Sequence, residues 1–145
     1  MTRRTLLDVN VLIALLEPGH DFFQRAQEWF SSSGKDDWGV CPLTEIGLVR
    51  ITTNPSFHPG PRTPEEAIAA LEKLATRPGY RYWPLTDSWA ALTAPFAARI
   101  TGHQQVTDAY LLGLAIKENG VLVTFDRGLK FLAGRQFARN LLILE

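Results

Sequence analysis

Apolar and polar positions fall into short strand-like runs and longer helical stretches, in alternation along the chain. "RTLLD" is a brief apolar run that predicts a strand over about residues 4–8, and "VNVLIALL" then predicts a helix that stops at Pro18-Gly19. In "DFFQRAQEWFSSSG", Phe22, Phe23, Ala26, Trp29 and Phe30 recur at helical spacing and predict a second helix with one buried face, ended by residues 31–34. "WGVCP" reads as a short buried strand and "LTEIGLVRITTN" as a third helix. Four prolines make residues 54–64 a loop. A fourth helix follows in "TPEEAIAALEKLATRPG", with Thr63 at the cap, Pro64 at the first position and Glu66 closing a capping box. "YRYWPL" reads as a strand, and "TDSWAALTAPFAARITG" as a helix kinked or delayed by Pro95. The remainder predicts a helix over 107–119, a strand over 121–125, a short helix over about 127–133 and a last strand near 141–144.

This alternation implies an α/β fold: a short, mostly parallel central sheet covered by helices on both faces. The strands are uniformly apolar, as doubly covered strands must be. No repeat, linker or low-complexity tract divides the chain, so residues 1–145 read as one domain.

Composition narrows the function classes. Hydrophobic residues make up 46% of the chain, with 4 Trp, 3 Tyr and 8 Phe, enough for a packed core. Lys plus Arg and Asp plus Glu balance at 15 each, which argues against binding nucleic acid by bulk charge alone. Arg is the main cation, and it is the side chain best shaped to grip phosphate. Cys41 is the single cysteine, so an internal disulfide is excluded and a reducing cytoplasm is the expected compartment. Asp8 and Asn10 interrupt the apolar start and no small-residue cleavage site follows, so no export signal and no membrane span are expected.

The acids carry the chemistry. In open α/β sheets, ligand sites lie beyond the carboxyl ends of the strands, near a switch in strand order. Asp8 ends the first strand, Asp126 directly follows "VLVTF", Asp108 opens a helix, and Glu45 lies near the start of the helix after "WGVC". Two unit charges ~5 Å apart repel by about 3 kcal/mol at an effective dielectric near 20. A rim of four carboxylates therefore holds protons or a cation, and hard oxygen ligands select Mg²⁺ or Mn²⁺.

"LLDVNVLIAL", "PLTEIGLVRI", "VTDAYLLGLA" and "VTFDRG", in this order and over this length, resemble the PIN-domain ribonucleases, and among them the VapC-type toxins of bacterial toxin–antitoxin pairs. The resemblance covers essentially the whole chain. Each motif is weak by itself; the four in order are specific. It implies a PIN-like three-layer α/β/α fold and an acidic metal-binding quartet of Asp8, Glu45, Asp108 and Asp126. Asn10, Thr44, Thr107 and Thr124 match as polar neighbours that orient the ligands. The implied activity is Mg²⁺- or Mn²⁺-dependent hydrolysis of RNA, such as tRNA or rRNA, leaving a 5′-phosphate and a 3′-hydroxyl. A cognate antitoxin and a homodimer are implied with it.

Taken singly, these residues have plainer readings. Asp8 and Asp108 serve equally as helix caps, Asp126 as a turn acid and Glu45 as a surface helix residue. Arg127 reads equally as a phosphate contact or an ion-pair partner. Arg62 and His58 belong either to a substrate-reaching loop or to an ordinary solvated connection. The tryptophans read as core or interface, and Cys41 as packed. The rival functions are a phosphatase-like Mg²⁺ protein on a similar sheet, which wants an acid where Asn10 stands, and a non-catalytic RNA-binding or assembly module, which has no use for all four acids.

Overall fold

The computed structural model describes residues 3–145. Four strands, β1 (Thr5–Leu7), β2 (Trp38–Gly39), β3 (Val121–Thr124) and β4 (Leu141–Ile143), pair in parallel in the order β2-β1-β3-β4. Seven α-helices accompany them among the described residues: α1 (Val9–Leu16), α2 (Phe23–Trp29), α3 (Pro42–Thr52), α4 (Pro64–Leu74), α5 (Trp89–Thr93), α6 (Val106–Lys117) and α7 (Leu129–Ala133). Strand alternation sorts the core into two layers. Leu6 and Leu122 face a cluster containing Leu92, Leu111, Leu112 and Leu129, drawn from α5, α6 and α7. Their neighbours Leu7 and Val123 face the opposite cluster, with Val11, Leu12, Trp29, Trp38 and Leu48. The expected three-layer α/β/α arrangement follows, because period-2 strands bury alternate side chains on opposite faces.

Local signals place most boundaries. Asp8 is extended and accepts the Val9 N–H, capping α1. Thr63 and Glu66 form the expected capping box of α4, with Pro64 at its start. The helix at 86–102 ends early: α5 stops at Thr93, a 3₁₀ stretch runs over Ala94–Arg99, and Phe96 leaves helical geometry beside Pro95. Pro95 supplies no N–H to continue the ladder. At the crossing of α5 and α6, a Cβ on Gly113 would stand 2.4 Å from the Leu92 carbonyl oxygen. The missing side chain is what allows that approach.

Two expectations are corrected. Residues 80–85 are not a regular strand; only Tyr80 bridges to Trp38. The segment lies along β2, with Arg81 N–H on the Trp38 carbonyl (2.8 Å) and Trp83 N–H on the Val40 carbonyl (2.9 Å). The Arg81 carbonyl crowds Gly39 so closely that a Cβ there would come within 1.7 Å, and Pro84 then ends the donor series. Phe22 is not on the buried face of α2. The helix begins at Phe23, so helical spacing does not fix the direction of Phe22, which is 51% exposed. Ala26, Trp29 and Phe30 are buried as expected, with Phe30 in a π-helical turn that extends α2 to Gly34.

Among the described residues, no helix is long and apolar enough to cross a membrane. Cys41 is buried, and burial pushes its thiol above the ordinary range. Arg3 and Arg4, at the entrance to β1, are anchored. Arg3 donates to the carbonyls of Asn119, Gly120 and Arg139, and the Arg4 guanidinium lies 4.2 Å from the centre of the Trp83 ring.

Candidate active site

The chain turns one way from β1 to β2 and the other way from β3 to β4, so the gap between β1 and β3 is the topological switch point. Asp8 and Asp126 stand at the carboxyl ends of these two strands. The Asp8 N–H extends the ladder by one bond, to the Val123 carbonyl at 2.9 Å.

The Asp8 carboxylate is 4% exposed and held at both oxygens. The Val9 N–H donates to Oδ1 and the Thr124 hydroxyl to Oδ2, both at 2.7 Å. Thr124 is fully buried, and its oxygen also accepts from Asn10 Nδ2 (3.2 Å) and the Asp126 N–H (3.0 Å). One donor and two acceptor positions exhaust a hydroxyl. Asn10 Oδ1 takes the Phe125 N–H at 3.2 Å, pinning the start of α1 to the end of β3. Asp126 Oδ1 accepts the Gly128 N–H at 2.8 Å, and this short turn directs the exposed acid.

Asp108 enters from the first turn of α6. Its carboxyl is pushed up to about 7, first by burial, then by the charges of Asp8 and Asp126. Asp8 is also raised, chiefly by burial and further by Asp126, against the lowering effect of the Thr124 and Val9 bonds. The charge of Asp126 therefore reaches both Asp8 and Asp108, acids from distant parts of the chain, and adds to the cost of ionising them.

Glu45 is not among the charges that raise Asp8 or Asp108. It is half-buried in the first turn of α3, and its charge acts on the phenols of Tyr80 and Tyr82, raising both after burial has done so. Thr44 is buried within its own helix start, exchanging bonds with the Cys41 backbone, because the first N–H groups of α3 need a partner. Thr107 is exposed and its side chain makes no hydrogen bond among the described residues. Of the four expected polar neighbours, Asn10 and Thr124 touch the acids' network, while Thr44 and Thr107 do not. Arg62 is committed elsewhere: it grips Glu17 at the far end of α1 through three bonds of 2.6 to 3.1 Å. Arg127 is exposed beside Asp126, without an ion pair among the described residues.

One feature escaped the periodicity reading. The rings of Phe22 and Phe125 stack at 4.9 Å and 22°, and Phe125 directly precedes Asp126 in the chain. The sequence signal was slight: a large apolar residue between Thr124 and Asp126, where the strand has already ended.

The donors suit a hard divalent cation. All are carboxylate oxygens, their mutual repulsion is what such an ion relieves, and Asn10 and Thr124 hold the first of them in place. Among the described residues, no three His, Cys, Asp or Glu side chains stand at the spacing of a formed metal centre. The trio feels one another's charge without closing to ligand distances.

Comparisons with known proteins bear on this arrangement. The PIN domain family matches residues 5–134. Ribonuclease VapC39 of Mycobacterium tuberculosis is 40% identical over 124 residues, covering 86% of this chain and 89% of that protein. Ribonuclease VapC38 of the same organism is 41% identical over 128 residues, covering 88% and 89%. Among solved structures, VapBC2 from Rickettsia felis, bound to a DNA fragment from its promoter, aligns at a TM-score of 0.61 and 13% identity, over 97% of this chain and 98% of that one. Mycobacterium tuberculosis VapC20, a sarcin-ricin loop cleaving toxin, aligns at 0.63 and 15%, over 89% and 93%. These two alignments speak to the fold, and the two sequence relatives carry the assignment further. With the switch-point acids framed by that fold and the match running through both, the chain belongs to the PIN-domain family, among the VapC ribonucleases.

Proposed function

We propose that this protein is an endoribonuclease that serves as the toxin of a toxin–antitoxin pair and works with Mg²⁺ or Mn²⁺ held by Asp8, Asp108 and Asp126, with Glu45 as a fourth acid at the edge of the site. The observation that carries the reading is the trio of acids, with Asp108 held near 7 by burial and, after it, by the charges of Asp8 and Asp126. A structural rim has no reason to accumulate that repulsion, whereas a cation site does. The VapC relatives are named as ribonucleases, and the Rickettsia felis neighbour was solved as a VapBC assembly, which favours a cognate antitoxin here.

A divalent cation in this site supplies Lewis-acid polarisation of the phosphoryl oxygen. The chain's own part is positional. Asp8 cannot swing, because both of its oxygens are engaged. Thr124 and Asn10 fix the distance between the α1 start and the Asp126 turn. Asp108 arrives on a rigid helix whose apolar residues lock its rotation. The three carboxylates would thus hold the cation with little reorganisation, which is where electrostatic catalysis has its strength. His20 and His58 line a neighbouring cleft, and such a metal-type hydrolysis does not need them as an acid–base pair.

Purified protein should cut RNA with Mn²⁺ or Mg²⁺, stop with chelator and resume when the ion is restored. Asp8→Asn should lose at least about 100-fold in rate while its circular dichroism is unchanged. Mapping new RNA 5′ ends after brief induction, with Asp8→Asn as the control, would identify the target. Chelator-resistant cleavage, or full activity in Asp8→Asn, rules the mechanism out. Growth arrest relieved by the adjacent small gene would support the toxin role.

A further inference from the structure

Beside the acidic rim lies a cleft of about 520 Å³. Asn10 and Ile13 come to it from α1, His20 from the turn before α2, and Asn54, Phe57 and His58 from the loop after α3. Two of these residues join it to the site. Asn10 lines the cleft while its amide spans the Thr124 hydroxyl and the Phe125 N–H. His20 accepts the Phe22 N–H on Nδ1 at 3.0 Å, and the two rings lie 5.8 Å apart. Phe22 then stacks on Phe125, the residue between Thr124 and Asp126. A continuous series of rings, His20–Phe22–Phe125, runs from the cleft to the residue that precedes Asp126.

The chemistry of this surface is selective. No carboxylate and no Arg or Lys lines the cleft, so it is not built for phosphate. Its polar groups are neutral amides, a hydroxyl and two imidazoles, which match the mixed donors and acceptors of a base edge. Its volume falls within the about 300–1,000 Å³ of small-ligand sites, so one nucleobase fits. Phe22 keeps half its surface in solvent beside its contacts with His20 and Phe125, so part of an aromatic side chain is open to a base. Single-stranded nucleic acid is gripped on such faces whatever its sequence.

We infer that the cleft and the Phe22–Phe125 stack form a base subsite. The nucleotide flanking the scissile phosphate stacks at Phe22 and presents its edge to Asn54, His20 and His58. This rests on the RNA-cleaving reading above, and it supplies what the acids lack, a means of choosing where to cut.

Binding and cutting separate the two ideas. A fluorescein-labelled RNA dodecamer of random sequence, titrated in EDTA and followed by anisotropy, reads the subsite without chemistry. Phe22→Ala and His58→Ala should each weaken binding about tenfold, and Phe22→Tyr should retain it. Both positions are solvent-facing, and melting curves will confirm that the three variants are folded. With Mn²⁺ added to the same pool, the wild type should favour particular bases beside the cut, and His58→Ala should flatten that preference. Unchanged affinity in both alanine variants overturns the subsite. Weakened binding with an unchanged preference overturns the role of the cleft in reading the base. A wild type that binds through Phe22 and cuts nothing overturns the nuclease reading and leaves the subsite standing.

Discussion

Replacing Asp108 with Asn keeps shape and volume while removing a charge that the fold has to suppress. The Asp108 carboxyl moves from an ordinary 3.8 to about 7 because of burial and the charges of Asp8 and Asp126. At 1.36 kcal/mol per tenfold change in proton affinity, that is about 4 kcal/mol of strain on the ionised form. Asp108 is partly exposed, and solvent screening reduces the figure to about 2 kcal/mol. The sign follows from linkage. Below about pH 4 the group is protonated in both the folded and unfolded chains and contributes nothing; between about 4 and 7 only the folded chain keeps the proton, so stability falls as pH rises; above about 7 the loss is complete. Asn carries no such penalty. For a chain of this length, about 2 kcal/mol corresponds to about 6 °C in Tm. Melting curves in EDTA should therefore place Asp108→Asn about 6 °C above the wild type near pH 8, with the gap closing toward pH 4. Mn²⁺ should raise the wild-type Tm at the higher pH and leave the variant nearly unmoved. A variant that melts at or below the wild type near pH 8, or a gap that does not change with pH, refutes the coupled trio.

Other substitutions probe the supports. Thr124→Val keeps volume but leaves Asp8 Oδ2, the Asp126 N–H and Asn10 Nδ2 without their shared partner. It should cost about 2–4 kcal/mol in urea unfolding and lower cleavage at least tenfold. Arg62→Ala strands the mostly buried Glu17 carboxylate. With the exposure of Arg62 discounted, it should lose about 1 kcal/mol of stability and leave RNA cleavage at the wild-type rate. Gly113→Ala forces a methyl against the Leu92 carbonyl, and thermal unfolding should report a loss of about 1–3 kcal/mol.

The sequence by itself determined the architecture and the ends of its elements, because those depend on local chemistry. Apolar runs buried on two faces specify a parallel sheet between helices, and Asp8, Thr63, Pro64 and Glu66 set helix starts through bonds to residues only a few positions away. The acids were legible as candidates for the same reason, since a strand end followed by a helix start marks the rim wherever it occurs. Which of them meet was decided only in three dimensions. Asp8 and Asp108 are 100 residues apart, and their shared field exists because β1 and β3 are neighbours and α6 feeds β3. The same packing brought the charge of Glu45 to bear on Tyr80 and Tyr82 and committed Arg62 to Glu17. It also brought Phe22 onto Phe125, although periodicity had placed Phe22 in the core. Period and capping are properties of a few consecutive residues. Contact between distant side chains depends on the path of the backbone between them, which no local pattern encodes.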